Sequence, residues 1–193
     1  GNKSKISEDV LQSIPTEMTN YHEPFLGSGA ILMRVLHEYS LGNIIIKKNL
    51  FASDSNRHLI EFYKHIQSDS SSFFEALHER FLLPYSKLTN EKKTDFYYTV
   101  RSNFNASLDK HDVIQSVRFY FLNRTCFSGI FRTNSKGVFN VPYGSKRKAI
   151  FSSHDQFIKI SQLFKNVSFS HQDFESACRV YEKGDFFYFD PPY

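Results

Sequence analysis

Residues 21–29 read Tyr-His-Glu-Pro-Phe-Leu-Gly-Ser-Gly, and they lead into an apolar stretch at residues 30–39. In that stretch Ile31, Leu32, Val35 and Leu36 recur on one helical face, so the segment predicts a strand, a glycine loop and a helix. Glycines let a backbone approach a ligand closely, and the N–H groups at a helix start favour an anionic group such as a carboxylate. The spacing is not G-x-G-x-x-G, which makes a dinucleotide site a weaker interpretation.

A second strand is predicted for Leu50-Phe-Ala-Ser53, and it ends in Asp54, 25 residues beyond Gly29. An acidic residue at this point of a strand-helix-strand unit can bind ribose hydroxyls. Gly27, Gly29 and Asp54 together predict a nucleoside pocket with a carboxylate clamp. An isolated glycine turn is more often structural, but three elements in this order favour the ligand site.

Residues 186–189 form the apolar run Phe-Phe-Tyr-Phe, which predicts a short buried strand, and Asp190-Pro-Pro-Tyr193 follows. A carboxylate before two prolines is a rigid acceptor corner, because each proline fixes φ and lacks an N–H. Such a corner suits a planar amine such as the N6 group of adenine. Acceptors that bind its hydrogens would turn its lone pair outward, so catalysis would come mainly from positioning. The alternative is a strand that ends in a proline turn, and these four residues alone leave both interpretations open.

The charge of the chain is unevenly distributed. Residues 113–154 contain no Asp or Glu and seven basic residues, whereas the rest carries 17 basic against 20 acidic residues. Aromatic residues are interleaved with these charges, a combination that favours phosphate contact and base stacking. The alternative is a solvated basic face over an aromatic core. We favour nucleic acid for the segment as a whole.

The composition, with 40% apolar and 23% charged residues, is ordinary for a globular protein of 193 residues. No apolar run is long enough to span a bilayer and no secretory signal is recognisable, so we expect no membrane association. Cys126 and Cys178 are expected to be reduced, and the absence of metal-ligand spacing predicts chemistry without a metal. These features agree with a cytoplasmic enzyme.

The motifs at Glu23 to Gly29, Asp54 and Asp190 to Tyr193 occur together with Gly1-Asn-Lys3, with Leu122-Asn-Arg-Thr-Cys-Phe-Ser-Gly-Ile-Phe-Arg132 and with Phe139-Asn-Val-Pro-Tyr-Gly144. In this order they resemble the Dam-type DNA adenine-N6 methyltransferases, which use S-adenosylmethionine. The resemblance implies an α/β fold: a Rossmann-like methyltransferase sheet with an inserted, mainly helical DNA-recognition domain. We expect the cofactor-binding and catalytic domain at residues 1–56 and 152–193, and the recognition domain at residues 57–151.

The resemblance also implies roles for single residues. Asp190, with Pro191, Pro192 and Tyr193, would hold the target amine and base. The residues implied in cofactor binding are Lys3, Glu23, Phe25, Gly27, Ser28, Gly29, Asp54, Asp173, Phe174 and Asp190.

In the recognition domain, Phe127 matches an aromatic that enters the stack when the target base is flipped out, with Ser128 beside it. Arg132 matches a guanine-reading arginine, and Pro142 a contact to a thymine methyl, which implies GATC as the site. The remaining residues implied in DNA binding are Arg101, Arg124, Asn134, Asn140, Lys146 and Arg147.

Members of the family begin with an aromatic residue before the head motif and continue well beyond Asp-Pro-Pro-Tyr. We therefore expect a chain truncated at both ends, which alone is weakly active or inactive and poorly stable. The resemblance implies double-stranded DNA as partner, and we expect a monomer. Two alternatives stay open: a catalytically silent DNA-binding fragment, and an amino-methyltransferase that acts on RNA or protein.

Overall fold

The computed structural model describes residues 10–145 and 148–191. The chain divides into two compact units: one takes the described residues up to Gln67 and those from Lys159 onward, and the other is Ser68–Ile158. The second unit therefore begins and ends several residues later than the expected recognition domain at residues 57–151.

The first unit is built on a parallel sheet with the strand order β5-β4-β2-β6. Tyr21 pairs with Leu50 on one side and with Phe186 on the other, and Leu50 pairs with Val167. A separate parallel pair joins β1 to β3. The strands are β1 (Glu17–Met18), β2 (Tyr21–Glu23), β3 (Ile45–Ile46), β4 (Leu50–Asp54), β5 (Val167–His171) and β6 (Phe186–Phe187).

The α/β fold class is confirmed, and the helix after the glycine loop and the strands β2 and β4 lie where the sequence pattern placed them. The buried strand predicted for residues 186–189 is shorter: only Phe186–Phe187 pair, both are half-buried, and Phe189 is 50% exposed, because β6 is the end strand of the described sheet. The α-helices are α1 (Ala30–Ser40), α2 (Arg57–Leu77), α3 (Leu83–Ser86), α4 (Asn90–Asn105), α5 (Val113–Thr125), α6 (His154–Phe164) and α7 (Phe174–Ala177). A π-helical turn, His78–Leu82, follows α2, and a 3-10 turn, Phe127–Gly129, follows α5.

Helix α2 contains the point where the chain leaves the first unit. Asp69 has the non-helical angles φ −155° and ψ 82°, so the polar run at residues 68–72 is a kink within the helix. The Asp69 carboxylate accepts hydrogen bonds from the Ser72 N–H (2.9 Å) and the Ser72 hydroxyl (2.6 Å). A carboxylate in this position caps the N–H groups of a new helical start, which explains how the helix resumes after the kink.

The core of the first unit is aromatic on one face of the sheet. Tyr63 of α2 stacks on Phe169 of β5 with 5.4 Å between ring centroids, and Phe164 of α6 meets both rings edge-on. The apolar face of α1 is buried as its spacing predicts. This packing covers the sheet face that carries Tyr21 and Glu23.

The second unit has a core of aromatic side chains contributed by several helices. Four aromatics of the basic segment belong to it, and each is at most 8% exposed: Phe119, Tyr120, Phe121 and Phe139. Phe127, by contrast, is 63% exposed. The aromatic run of α5 is therefore core, and only part of the segment offers rings to a partner.

A hydrogen-bond cluster ties three strands of the first unit together at their amino ends. The Asp185 carboxylate accepts hydrogen bonds from the backbone and side-chain amides of Asn20 (3.1 and 2.7 Å), from His22 Nε2 (2.9 Å) and from the Glu182 N–H (3.0 Å). The Asn20 side chain in turn accepts from the Asn49 N–H at 3.0 Å, just before β4. The side chain of Asp185 is only 3% exposed, so these bonds are sheltered from water.

We predict that Asp185→Ala lowers the free energy of unfolding by about 2–4 kcal/mol, because each buried polar group that loses its partner costs about 1–3 kcal/mol. Urea unfolding followed by circular dichroism measures the change. Asp109→Ala, at an exposed position, is the matched control and should stay within about 0.5 kcal/mol of the parent. Equal losses in the two variants would contradict the role of the cluster.

The parent and Asp185→Ala also test how stability depends on pH. Burial by itself raises the pKa of Asp185, but the hydrogen bonds from Glu182, Asn20 and His22 outweigh it and hold the pKa below its usual range. A lowered pKa stabilises the fold above the ordinary value of about 3.9, and this contribution is lost as the pH falls through the folded value. The difference in stability between the parent and Asp185→Ala should therefore shrink on acidification from neutral pH, and a constant difference would refute this.

Candidate functional site

The carboxyl ends of the four parallel strands collect the predicted ligand-binding residues at one edge of the sheet. The Leu26 N–H donates to the Ser53 carbonyl (3.0 Å), and the Gly27 N–H donates to Asp54 Oδ2 (3.0 Å). The Gln172 N–H reaches the Asp54 carbonyl at 3.3 Å. The glycine loop, the end of β4 and the end of β5 are thus directly bonded to one another.

The glycine loop takes backbone conformations that explain its two glycines. Gly27 and Gly29 have φ values of +49° and +64°, a region that side-chain-bearing residues rarely enter. Gly29 is the N-terminal cap of α1, and within the described part of the chain no side-chain cap hydrogen bond is made at this end of the helix. The N–H groups at the start of α1 therefore have the arrangement that suits an anionic group of a ligand.

Two carboxylates flank the glycine loop. Glu23, at the end of β2, is buried and accepts a hydrogen bond from the Tyr21 hydroxyl at 2.7 Å. Asp54 accepts from the Gly27 N–H through one oxygen and from the Asn56 N–H (2.8 Å) through the other. Each oxygen has a second lone pair, so these bonds orient the carboxylate and leave it able to accept from a ligand hydroxyl.

The electrostatic effect of these carboxylates is visible in Tyr63. Burial raises the pKa of the Tyr63 hydroxyl, and the negative charges of Glu23 and Asp54 raise it further. The Tyr63 hydroxyl donates to the Gly27 carbonyl at 3.1 Å. The carboxylates favour a positively charged group of a ligand beside them, whereas the N–H groups at the start of α1 favour an anionic one.

Tyr63 was not among the residues that sequence reasoning selected. It lies 36 residues beyond Gly27 in an ordinary helical pattern, and nothing local marks it as a neighbour of the loop. Its hydroxyl would lie only 2.8 Å from a Cβ atom at Gly29. Tyr63 therefore supports the loop and also requires glycine at position 29.

An aromatic wall borders the same edge. Phe25 stacks on Phe174 with 5.4 Å between centroids, and Phe189 lies 6.3 Å from Phe25 at an angle of 60°. Phe174 and Phe189 are both exposed on one side. Two rings from distant parts of the chain thus offer apolar surface beside the loop.

Asp173 makes its side-chain hydrogen bonds within its own helix. It caps α7, and its carboxylate accepts from the Ser176 N–H (2.8 Å) and hydroxyl (3.2 Å). These bonds from Ser176 lower the pKa of Asp173, so it is a carboxylate at neutral pH. Its implied position next to the cofactor agrees with its place after β5, but its hydrogen bonds serve the helix.

Asp190 follows β6 at the same edge. The Tyr188 N–H donates to the His22 carbonyl at 2.8 Å, which extends the pairing of β6 with β2 toward Asp190. Asp190 is half-buried and Pro191 is exposed. The implied site residues Lys3, Pro192 and Tyr193 lie outside the described residues.

A cleft of about 310 Å³ adjoins this edge on the sheet face that carries His22. Ser53, Ser168 and Ser170 line it, together with Glu23. The cleft and the glycine loop therefore share Glu23. Among the described residues, no cluster of His, Cys, Asp and Glu could hold a metal ion.

The implied DNA-binding residues of the second unit lie on an irregular segment after α5. Phe127 is exposed, and its neighbour Ser128 has a φ of +59°, a strained value for a residue with a side chain. Arg132 Nε donates to Asn140 Oδ1 at 3.3 Å, and both residues are exposed. Pro142 is exposed as well, and its carbonyl accepts from the Phe127 N–H.

Other implied residues have structural bonds of their own. The Asn134 side chain accepts from the Lys136 and Val138 N–H groups and so closes the hairpin turn. Arg124 donates to the Ile150 carbonyl at 2.6 Å. Lys146 and Arg147 lie outside the described residues.

One face of α4 holds residues 139–142, which include the implied DNA-binding residues Asn140 and Pro142 and are here called the recognition segment. The Tyr97 hydroxyl (2.8 Å) and Arg101 Nη1 (3.1 Å) donate to the Val141 carbonyl. Asn105 bonds both the N–H and the carbonyl of Phe139, each at 3.0 Å. Sequence reasoning selected only Arg101, although the spacing of four residues between the three side chains marks a single helix face.

A parallel sheet with ligand-binding groups at its carboxyl edge, and a mainly helical unit inserted between β4 and β5, is the arrangement of Rossmann-like methyltransferases. The family described as D12 class N6 adenine-specific DNA methyltransferase matches the chain over residues 1–193. The chain belongs to this family.

Curated relatives agree with the family. The type II methyltransferase M.MjaIII of Methanocaldococcus jannaschii is 36% identical, and the match covers 100% of this chain and 66% of that protein. The type II methyltransferase M1.LlaDCHI of Lactococcus lactis is 28% identical, with 100% and 63% covered. The retron Ec67 DNA adenine methylase of Escherichia coli is 29% identical, with 100% and 61% covered. The chain thus spans slightly less than two thirds of these relatives. No helix in the described part of the chain is both long and apolar enough to cross a bilayer.

We predict that Gly29→Ala destabilises the protein more than Gly42→Ala, although both glycines have positive φ values. A Cβ at Gly42 meets nothing within 4 Å, whereas a Cβ at Gly29 meets the Tyr63 hydroxyl at 2.8 Å. Gly42→Ala should cost about 1 kcal/mol for its backbone alone, and Gly29→Ala about 1–3 kcal/mol more because of the clash.

Tyr63→Phe provides the second control. Removal of the hydroxyl should reduce the extra cost of Gly29→Ala, which a double-mutant cycle of unfolding free energies measures. Additive effects of the two substitutions would contradict the close contact.

Proposed function

We propose that this protein transfers a methyl group from S-adenosylmethionine to the N6 amine of adenine in duplex DNA, with GATC as the site. The observation that carries the proposal is the meeting of distant segments at one sheet edge. The Phe25 and Phe189 rings are in contact there, next to the glycine loop and to Asp190.

The residues at this edge fit the cofactor. The glycine loop and the start of α1 offer N–H groups to its carboxylate, and Asp54 offers an oxygen to its ribose hydroxyls. Phe25 and Phe174 provide an apolar wall for a flat ring. Glu23 and Ser28 join the loop at the methionine end, and Asp173 borders the adenine. Lys3 and Asp190 complete the proposed set.

When bound, S-adenosylmethionine supplies a methyl group on a positively charged sulfur, and this sulfur is a good leaving group when an amine attacks the methyl carbon. Asp190 and the Pro191 carbonyl accept the hydrogens of the adenine amine and turn its lone pair toward the methyl group. The neutral amine is the nucleophile: its bond to the methyl carbon would form as the bond from that carbon to sulfur breaks, and the extra proton on the amine would then pass to water. Pro192 and Tyr193 complete the corner, with Tyr193 against the base.

The second unit recognises the duplex in this proposal. The exposed ring of Phe127 enters the stack that the extruded adenine leaves, beside Ser128. Arg132 reads a guanine edge, oriented by its bond to Asn140, and Pro142 touches a thymine methyl. Arg101, Arg124, Asn134, Asn140, Lys146 and Arg147 contact the backbone. The reaction takes place where the DNA is, in the cytoplasm of a bacterial or phage-infected cell.

We predict that Asp190→Ala reduces methyl transfer to a GATC duplex by about 10²-fold or more, because a positioned acceptor in the transition state is lost. Asp54→Ala should instead weaken cofactor binding by about tenfold, the effect of one lost hydrogen bond to a charged group. Labelled-methyl transfer under single-turnover conditions and calorimetry with S-adenosylmethionine separate the two effects.

Asp109→Ala is the control and should change neither quantity. Undiminished transfer by Asp190→Ala would overturn the proposed mechanism. Duplex binding without cofactor binding by the parent would identify a silent DNA-binding module. Transfer to RNA or protein, with no preference for GATC duplexes, would identify another amino-methyltransferase.

We predict that Arg132→Ala relaxes the preference for guanine by about 10- to 100-fold, since a bidentate arginine contact contributes about 1–3 kcal/mol of discrimination. Cofactor affinity should be kept. The measurement compares methylation of a GATC duplex with that of a duplex in which this guanine is replaced. Lys136→Ala, in the same hairpin, should weaken binding to both duplexes equally, and an unchanged preference in Arg132→Ala would refute the reading role.

A further inference from the structure

A cleft of about 490 Å³ on the second unit is used by none of the roles assigned above. Its walls come from the end of the π-helical turn, from α3 and α4, and from the chain after the recognition segment. Binding sites for small ligands measure about 300–1,000 Å³, so the cleft can hold one ligand unit of moderate size.

The floor of the cleft is aromatic. Tyr85, Tyr143 and Phe151 line it, and all three are half-buried. The Phe151 ring is held against Phe121 in a stacked arrangement with 5.8 Å between centroids, and it meets Tyr85 edge-on at 6.5 Å. Fixed rings that are partly accessible suit a planar or sugar-like group without further ordering.

The charge of the cleft is positive. Among the residues that the structure describes, Lys93 and Lys148 line it and no acidic residue does. Lys93 Nζ lies 5.2 Å from the centroid of the Tyr85 ring. Within residues 10–145 and 148–191, neither ammonium group is paired with a carboxylate. Both can therefore bind an anion.

The two tyrosine hydroxyls add a donor. They lie 2.6 Å apart, so one proton is used between them and the other can point to a ligand. Burial raises the pKa of Tyr85, and the hydrogen bond with Tyr143 raises it further. Tyr85 therefore keeps its proton at neutral pH. The cleft combines two cations, one hydroxyl donor and aromatic surface.

We propose that this cleft, here called the Tyr85 cleft, binds one nucleotide unit of the DNA strand: its phosphate lies at Lys93 and Lys148, and its sugar and base pack against the aromatic floor. The cleft continues the recognition segment, because Tyr143 follows the exposed Pro142 directly. The inference rests on the proposed function, to which it adds a contact. A free nucleotide has the same chemistry and is the competing source of the ligand.

The test compares the parent chain with Lys93→Gln/Lys148→Gln. Fluorescence anisotropy measures binding of a labelled GATC duplex over a series of salt concentrations, without cofactor. Because a phosphate contact contributes about 0.9 to the slope of log K against log salt, the variant should lose about one unit of slope. Its affinity near 0.1 M salt should fall at least several-fold.

The matched control is Lys165→Gln/Lys183→Gln, which removes the same charge at exposed positions of the first unit. It should keep the slope of the parent. Tyr85→Phe removes a hydroxyl without altering charge, and it should lower affinity while the slope is kept. Circular dichroism shows whether each variant is folded.

A second arm uses adenosine 5′-monophosphate as the probe in calorimetry. Weak binding that depends on Lys93 and Lys148, with the loss of slope on DNA, supports the inference. Binding of the free nucleotide with an unchanged DNA slope would overturn the assignment to DNA, and so would equal loss of slope in the control. If the parent binds no duplex, the proposed function fails too, whereas an unchanged slope with methyl transfer retained refutes the Tyr85 cleft alone.

Discussion

The arrangement of the first unit depends on the hydrogen bonds that Asp185 and Asn20 make at the amino ends of the strands. Parallel strands are joined by long crossovers, which do not set the register of the pairing as a tight turn does. Asn20 bonds Asn49 before β4 and Asp185 before β6, so one side chain aligns three strands at their starts. Parallel strands that start side by side have their carboxyl ends at one edge of the sheet. Glu23 and Asp54 are the last residues of β2 and β4 at that edge, and Asp190 lies three residues beyond the end of β6.

In the second unit, side-chain hydrogen bonds likewise fix the position of a segment that has little regular structure. The backbone at residues 139–141 cannot satisfy its polar groups within a sheet, and buried polar groups need partners. Tyr97, Arg101 and Asn105 supply them from one face of α4. Bonded at the buried residues Phe139 and Val141, the segment turns Asn140 and Pro142 outward. The exposed side chains gain a fixed position from a rigid helix, which is what a recognition surface needs.

Local patterns made the sheet, the glycine loop and Asp54 predictable, because strand alternation, positive-φ glycines and helix faces are properties of neighbouring residues. Tyr63 and the pair of His22 with Asp185 could not be predicted, since the partners lie 36 and 163 residues apart and only packing unites them. The polar composition of residues 68–72 does not reveal that Asp69 caps a resumed helix there. In the basic segment, composition alone could not separate buried Phe121 from exposed Phe127, because both follow basic residues by a few positions.

The two units differ in charge in a way that matches two kinds of ligand. Around the glycine loop, Glu23 and Asp54 place two carboxylates near Tyr63, and their charges raise the pKa of Tyr63 beyond the effect of burial. Two carboxylates favour a sulfonium or ammonium group beside them. The segment at residues 113–154 has no acidic residue and attracts phosphate. In the proposed reaction the donor is a cation and the acceptor a polyanion, and a single site of either sign could not serve both equally well. Transfer from a sulfonium would remove the positive charge that the carboxylates favour, so the same field would bind the neutral sulfur product less tightly.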